Sequence, residues 1–239
     1  MVVCNDKGGV GKSLLTALVA EQLGSELPTS IVEVEMRASF SQKLYAHPKG
    51  MDLRTILLVE NEPETGHSNP STRPLESLNE LLPKRPEDSC RILIDFGASA
   101  FQTFIFWARD KRGLQPFRDA GFQFTFLIPV YASDRECADF FNENTPFLLR
   151  LGKVLLVRNH HIGASFPHLD PGILSKVPSL DLPFRGSPMS QEMVTPEQRL
   201  TFRQLAERKS ASRRGRLDAK ACDQEFSEQF AKLRPELGL

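Results

Sequence analysis

Residues 6–13 read DKGGVGKS, from Asp6 through Lys7, Gly8, Gly9, Val10, Gly11 and Lys12 to Ser13. They follow the apolar run MVVC (1–4) and open a stretch, from about Lys12 to Leu23, that reads as a helix. Strand, glycine-rich turn and helix in that order describe a phosphate-binding loop. Gly8, Gly9 and Gly11 admit backbone conformations that a side chain forbids. Their N–H groups can then converge on phosphate oxygens at the positive end of the helix dipole. Lys12 is suited to neutralise the outer phosphates and the Ser13 hydroxyl to ligate magnesium. The cofactor-binding set over this stretch is Gly8, Gly9, Val10, Gly11, Lys12, Ser13 and Leu14. The strict pattern GxxxxGK[ST] is not met, because Asp6 stands where its first glycine belongs. A second lysine, Lys7, adds a charge that the ordinary loop lacks. Its side chain can fold back on its own nucleotide or reach a partner's, and the residues alone leave both open.

The rest of the chain alternates short apolar runs with longer amphipathic ones. That pattern predicts an α/β fold with a mostly parallel central sheet flanked by helices on both faces. Strands are expected at 30–34, 90–95, 122–130, 153–159 and 180–182, and helices at 51–60, 75–82, 101–110 and 133–149. Ser133 is the expected N-cap of the last of these, with Glu136 closing a capping box. Residues 61–74, NEPETGHSNPSTRP, read as a loop. In such sheets ligands bind at the carboxyl ends of the strands. Glu35, Asp95 and Asn159 all fall at such ends.

With 239 residues, the chain is expected to form a single domain over 1–239, its C-terminal region helical and basic from about 190. Acidic and basic residues balance at 30 each, so any nucleic-acid binding must come from a local patch. Cys4, Cys90, Cys137 and Cys222 form no CxxC pair, which argues against a disulfide framework or a zinc site. No apolar run approaches membrane-spanning length, and the loop begins too early to leave room for a signal peptide. The expected compartment is the cytoplasm.

The stretch KGGVGKS resembles the deviant Walker A motif of the ParA/MinD family of ATPases, within the SIMIBI class of P-loop NTPases. The resemblance implies a face-to-face homodimer sandwiching two ATP molecules, in which Lys7 contacts the opposite subunit's phosphates. Loss of the γ-phosphate would then open the dimer. The family's DxD at the end of strand two is matched here by Glu33 and Glu35, within VEVEMRASF (32–40). Strand alternation puts the two side chains on one side. The resemblance implies that Glu35 orients the attacking water and that Glu33 serves the magnesium shell. Each carboxylate lies one methylene further out than an aspartate's. RILID (91–95) matches a Walker B strand, with Asp95 holding magnesium through water. The implied catalytic set is thus Lys7, Lys12, Glu35 and Asp95, and the implied metal set Ser13, Glu33 and Asp95.

Where the family commonly continues with prolines, this chain has Phe96-Gly97-Ala98-Ser99. Gly97 can act as a hinge, a point of close approach to phosphate, or a plain turn glycine. The segment from Asp95 to Phe101, with Ala38 to Phe40, is similar to the TraL/StbB-like branch carried by conjugative or mobilisable plasmids. The same resemblance matches Asn159 to an adenine-binding asparagine and Pro183 to a loop that closes over the base.

Between Arg199 and Lys220 stand eight positive charges against Glu207 and Asp218. Such a segment can neutralise phosphates without reading sequence. Family likeness implies non-specific DNA binding through Arg208, Lys209, Arg213, Arg214 and Arg216, with SASRRGR (210–216) displayed on a bend between two helices. Phe226, Phe230 and Leu233 recur at i, i+4, i+7, and core packing is expected of them rather than membrane binding. The expected function is a slow ATPase using ATP and magnesium, dimerising on ATP and acting on DNA and an unidentified partner protein in plasmid partition, stability or conjugation. The alternative is a nucleotide-binding dimeric scaffold with little hydrolysis. Iron–sulfur carriers sharing this loop need paired interface cysteines, and bacterial tyrosine kinases need a tyrosine cluster. Neither pattern is present.

Overall fold

The computed structural model describes residues 1–24, 27–36, 51–61, 68–85, 88–110, 113–161, 163–182, 194–195, 198–199 and 201–237. Pro183, the ASF stretch at 38–40 and the centre of the expected 61–74 loop lie outside these residues.

Chain order begins with β1 (Val2–Val3), α1 (Lys12–Leu23), β2 (Thr29–Glu35) and β3 (Asp52–Leu57). A small hairpin, β4 (Val59–Asn61) with β5 (Ser68–Pro70), and a 3-10 helix (Arg73–Leu81) follow. Then come β6 (Arg91–Phe96), α2 (Ala100–Arg109), α3 (Gln115–Asp119), β7 (Thr125–Tyr131), α4 (Arg135–Leu151) and β8 (Lys153–Asn159). The chain continues with α5 (Pro171–Leu174), β9 (Ser179–Leu182), a short β10 (Val194–Thr195) paired with β11 (Gln198–Arg199), α6 (Phe202–Glu207) and α7 (Arg213–Leu237).

Seven strands form one sheet in the order β3-β2-β6-β1-β7-β8-β9, and every pairing in it is parallel. Helices cover both faces, as the sequence predicts, and the arrangement is consistent with a P-loop NTPase-like fold. A parallel sheet buried on both sides needs near-continuous apolar strands, which RILID and KVLLV supply. Alternation then divides the side chains between two cores. Val2, Ile92, Ile94, Phe96, Phe126 and Ile128 pack with the aromatic side chains of α2 and α4. Val3, Ile31, Leu93, Leu127, Leu155 and Val157 pack with α1, α6 and α7. Helix α1 lies between sheet and α7, which is why it is buried on nearly every side rather than along one stripe. Phe226 and Phe230 are buried in that second core and Leu233 packs against it, as expected of core residues.

The expected helix over 51–60 is corrected to strand. Within MDLRTILLVE, Ile56 and Leu58 are buried while Leu53 and Leu57 are exposed, a period of two. The open edge of β2 supplies backbone partners from Ser30 to Glu35, and that pairing overrides local helix preference. The expected N-cap is corrected as well. Ser133 takes a left-handed φ of 57°, and Asp134 caps α4 by accepting from the Cys137 N–H. Among the described residues, no helix is long and apolar enough to cross a membrane.

Candidate nucleotide site

The loop after β1 is anchored before its glycines begin. Asn5 is fully buried; its amide donates to Pro129 O at 2.9 Å and accepts from Lys7 N at 2.9 Å. Gly9 (φ 75°) and Gly11 (φ 93°) then adopt the left-handed region, where a side chain is strained. Gly8 does not. Three loop carbonyls are held by side chains. Lys12 Nζ donates to Lys7 O at 2.7 Å, Tyr131 OH donates to Gly9 O, and Asn159 Nδ2 donates to Val10 O at 3.0 Å. In a trans peptide the N–H points opposite to its C=O. Fixing the Gly9 and Val10 carbonyls therefore turns the Val10 and Gly11 N–H groups away from Tyr131 and Asn159. Oriented backbone amides of this kind form an anion-binding nest. Lys12 is buried, Val10 and Leu14 are buried against the core, and Ser13, the second residue of α1, is half-buried.

The carboxylates come to the same end of the sheet. Glu33 and Asp95 are register partners on adjacent strands, and Glu35 is the last residue of β2. Alternation sets Glu33 and Glu35 on the face of Ile31 and Asp95 on the face of Leu93, which is the face covered by α1. All three are buried. Gly97 N donates to Val34 O at 2.8 Å and so continues the pairing of β6 with β2 beside Glu35. Among the described residues no three histidine, cysteine, aspartate or glutamate side chains cluster to hold a metal alone. Ser13, Asp95 and Glu33 carry oxygen donors of the kind magnesium takes alongside phosphate oxygens and water.

Lys7 is paired within its own chain. Its ammonium donates to Glu136 Oε2 at 2.5 Å and lies 3.6 Å from Asp134 Oδ2. Glu136 raises the Lys7 pKa by this hydrogen bond, and Asp134 adds to the effect. Glu136 therefore serves Lys7 rather than a capping box.

Asn159 is buried, and besides its bond to Val10 its Oδ1 accepts from His161 N at 3.0 Å. It braces the loop: a Cβ on Gly11 would lie 2.9 Å from its Nδ2.

The basic segment divides into two kinds of residue. Lys209, Arg213 and Arg214 are exposed, with Arg214 3.8 Å from Asp218. Arg216 instead donates to the carbonyls of Ala211 (2.6 Å), Lys209 (3.1 Å) and Arg208 (3.4 Å), and Arg208 donates to Ser210 Oγ at 2.6 Å. The arginines of SASRRGR begin α7 rather than riding on the bend, with Ser212 Oγ accepting from Gly215 N at 2.9 Å.

The segment is also tied to α1. Glu21 accepts from Phe202 N at 2.7 Å, and Gln22 donates to Asp223 at 3.0 Å, the same carboxylate that pairs with Arg203. Burial pushes the Glu21 carboxyl up to about 7.

Sequence reasoning missed Asn5, Glu21, Tyr131 and the Asp134–Glu136 pair. Only Asn5 carried a signal, a polar residue between a buried strand and the loop. The others act through contacts more than a hundred residues apart in the chain. A scan against models of protein families finds none that matches this chain, and a search of curated proteins finds no relative.

Proposed function

We propose that this chain is a ParA-like ATPase that forms an ATP-dependent sandwich dimer. It would work in plasmid partition, plasmid stability or conjugative transfer, through non-specific DNA and a partner protein. One arrangement carries the reading. Two left-handed glycines and a buried Lys12 form a loop between β1 and α1, and Glu33, Glu35 and Asp95 gather at the same end and face of the sheet.

In this reading the loop amides and Lys12 bind the phosphates, and Lys7 reaches the partner's nucleotide. Glu35 orients water for in-line attack on the γ-phosphate. Ser13, Asp95 and Glu33 would hold a magnesium ion, which when bound would supply charge neutralisation at the phosphate oxygens. Asn159 and Pro183 border the base. Lys209, Arg213 and Arg214 supply the phosphate-neutralising surface, while Arg208 and Arg216 shape the loop that presents it.

A second reading is a nucleotide-binding scaffold with little hydrolysis. The glutamates favour it, since a carboxylate one methylene out of place can cost most of a rate. Solution mass by light scattering, with ADP and then with ATP and magnesium, tests the dimer. Doubling on ATP alone in wild type and not in Lys7→Ala supports the switch; a mass indifferent to nucleotide overturns it. ATP turnover with and without DNA separates enzyme from scaffold.

A further inference from the structure

Gly97 stands one residue beyond β6, two residues after Asp95, and its backbone takes no left-handed φ. Conformational freedom is therefore not what glycine supplies there; it leaves open the space that the end of Glu35 occupies. A Cβ built on Gly97 would collide with Glu35 Oε2 and lie 2.6 Å from Cδ and 2.9 Å from Oε1 of the same side chain. All three nearest atoms belong to one carboxyl group, the far end of a flexible side chain, so a Cβ at 97 would make that carboxyl group move aside at small cost to the fold. The register explains the encounter. Val34 pairs with Phe96, so the next residues, Glu35 and Gly97, are neighbours across the two strands. Glu35 is 5% exposed, so its carboxyl group lies within the fold rather than extending into solvent.

We propose that Gly97 is a positioning residue for Glu35: the bare Cα leaves the space into which the longer glutamate side chain folds sideways, so that its carboxylate is held at the end of the sheet. The inference rests on the ATPase reading above. A glutamate at this place carries its carboxylate one methylene further than an aspartate does. Turned over Gly97, the extra length is taken up across the strand rather than along it. The pair is then a single device, with Glu35 the group that meets the attacking water and Gly97 the gap that sets its direction. A methyl group at 97 displaces the carboxylate without touching any phosphate-loop residue. An aspartate at 35 withdraws the carboxylate from that methyl group, so the two substitutions do not add.

The test is a double-mutant cycle on the full chain: wild type, Gly97→Ala, Glu35→Asp and both together, read by steady-state ATP turnover, by binding of a fluorescent ATP analogue and by thermal melting without nucleotide. Gly97→Ala is expected to lower kcat by about 10- to 100-fold in the wild-type background, with analogue binding within about twofold, and to change kcat by less than about twofold in the Glu35→Asp background. Equal losses in both backgrounds, or no loss in either, overturn the pairing while leaving the ATPase reading intact. A wild type that binds the analogue but does not turn over removes that reading and the positioning role with it. If Gly97→Ala alone does not fold, a folded double variant matching Glu35→Asp in kcat supports the pairing, and an unfolded one overturns it.

Discussion

The ammonium of Lys7 is hydrogen-bonded to Glu136, a residue 129 positions later in the chain. The lysine that distinguishes this loop is thus held within its own chain, by the first turn of α4. Glu136 is 76% exposed, and exposed ion pairs are weak, so the hold is light. A cross-subunit role requires its release. Glu136→Gln is therefore expected to shift ATP-driven dimerisation to lower protein concentration, and Lys7→Ala to abolish it. Light scattering over a dilution series with ATP and magnesium reads both. A Glu136→Gln midpoint equal to wild type would mean that the pair does not restrain Lys7.

Asn159 uses both ends of its amide, donating to Val10 O and accepting from His161 N. Asn159→Ala removes both bonds at a buried site and should cost about 1–3 kcal/mol in denaturant unfolding. Asn159→Asp keeps the acceptor for His161 but sets an oxygen against the Val10 carbonyl, and it should cost more than alanine. The reverse ranking would show that the bond to Val10 is not the one that matters.

Glu21 makes stability depend on pH. Burial, aided by the Asp223 charge, raises its carboxyl from the ordinary 4.5 to about 7, while Thr201, Phe202 N and Arg203 act in the opposite direction. The folded chain then holds this proton more tightly than the unfolded chain does. The resulting stabilisation is complete below pH 4.5 and is lost as pH rises through about 7. Its size is on the order of 3 kcal/mol. Glu21→Gln keeps an acceptor for Phe202 N and should melt higher than wild type at pH 8 but no higher at pH 4.5. A pH-independent difference between the two proteins would exclude this account.

The basic end of the molecule should separate under mutation. Reversing Lys209, Arg213 and Arg214 to glutamate is expected to remove salt-sensitive binding to a duplex of arbitrary sequence, measured by fluorescence anisotropy across a salt series. Arg216→Ala should leave the salt slope largely unchanged and lower the melting temperature instead, because its hydrogen bonds to three loop carbonyls are lost. A triple reversal that binds as wild type would reduce this surface to a solvated helix end.

Much of this was legible along the chain. DKGGVGKS between an apolar strand and a helix located the loop and the start of α1, and KVLLVRN marked β8 from end to end. The two-residue period placed Glu33 and Glu35 on one face, because a strand offers its side chains only two directions. The failures share a cause. MDLRTILLVE has local helix character, yet its backbone is claimed by the edge of β2. Ser133 looks like a cap, yet the turn entering α4 puts it at positive φ and passes the cap to Asp134.

The sequence by itself determined the α/β class, the position of the glycine-rich loop between β1 and α1 and the strand ends that carry Glu35, Asp95 and Asn159. Those properties depend on composition and period within a few residues. The tertiary structure alone decided that Lys7 rests on Glu136, that Asn159 braces the loop, that Arg216 ties down its own neighbourhood and that Gly97 makes room for Glu35. Each of these is set by which strand lies beside which, or by how a loop closes on itself. Strand order is fixed by packing two cores on opposite faces of one sheet, and no window along the chain contains it.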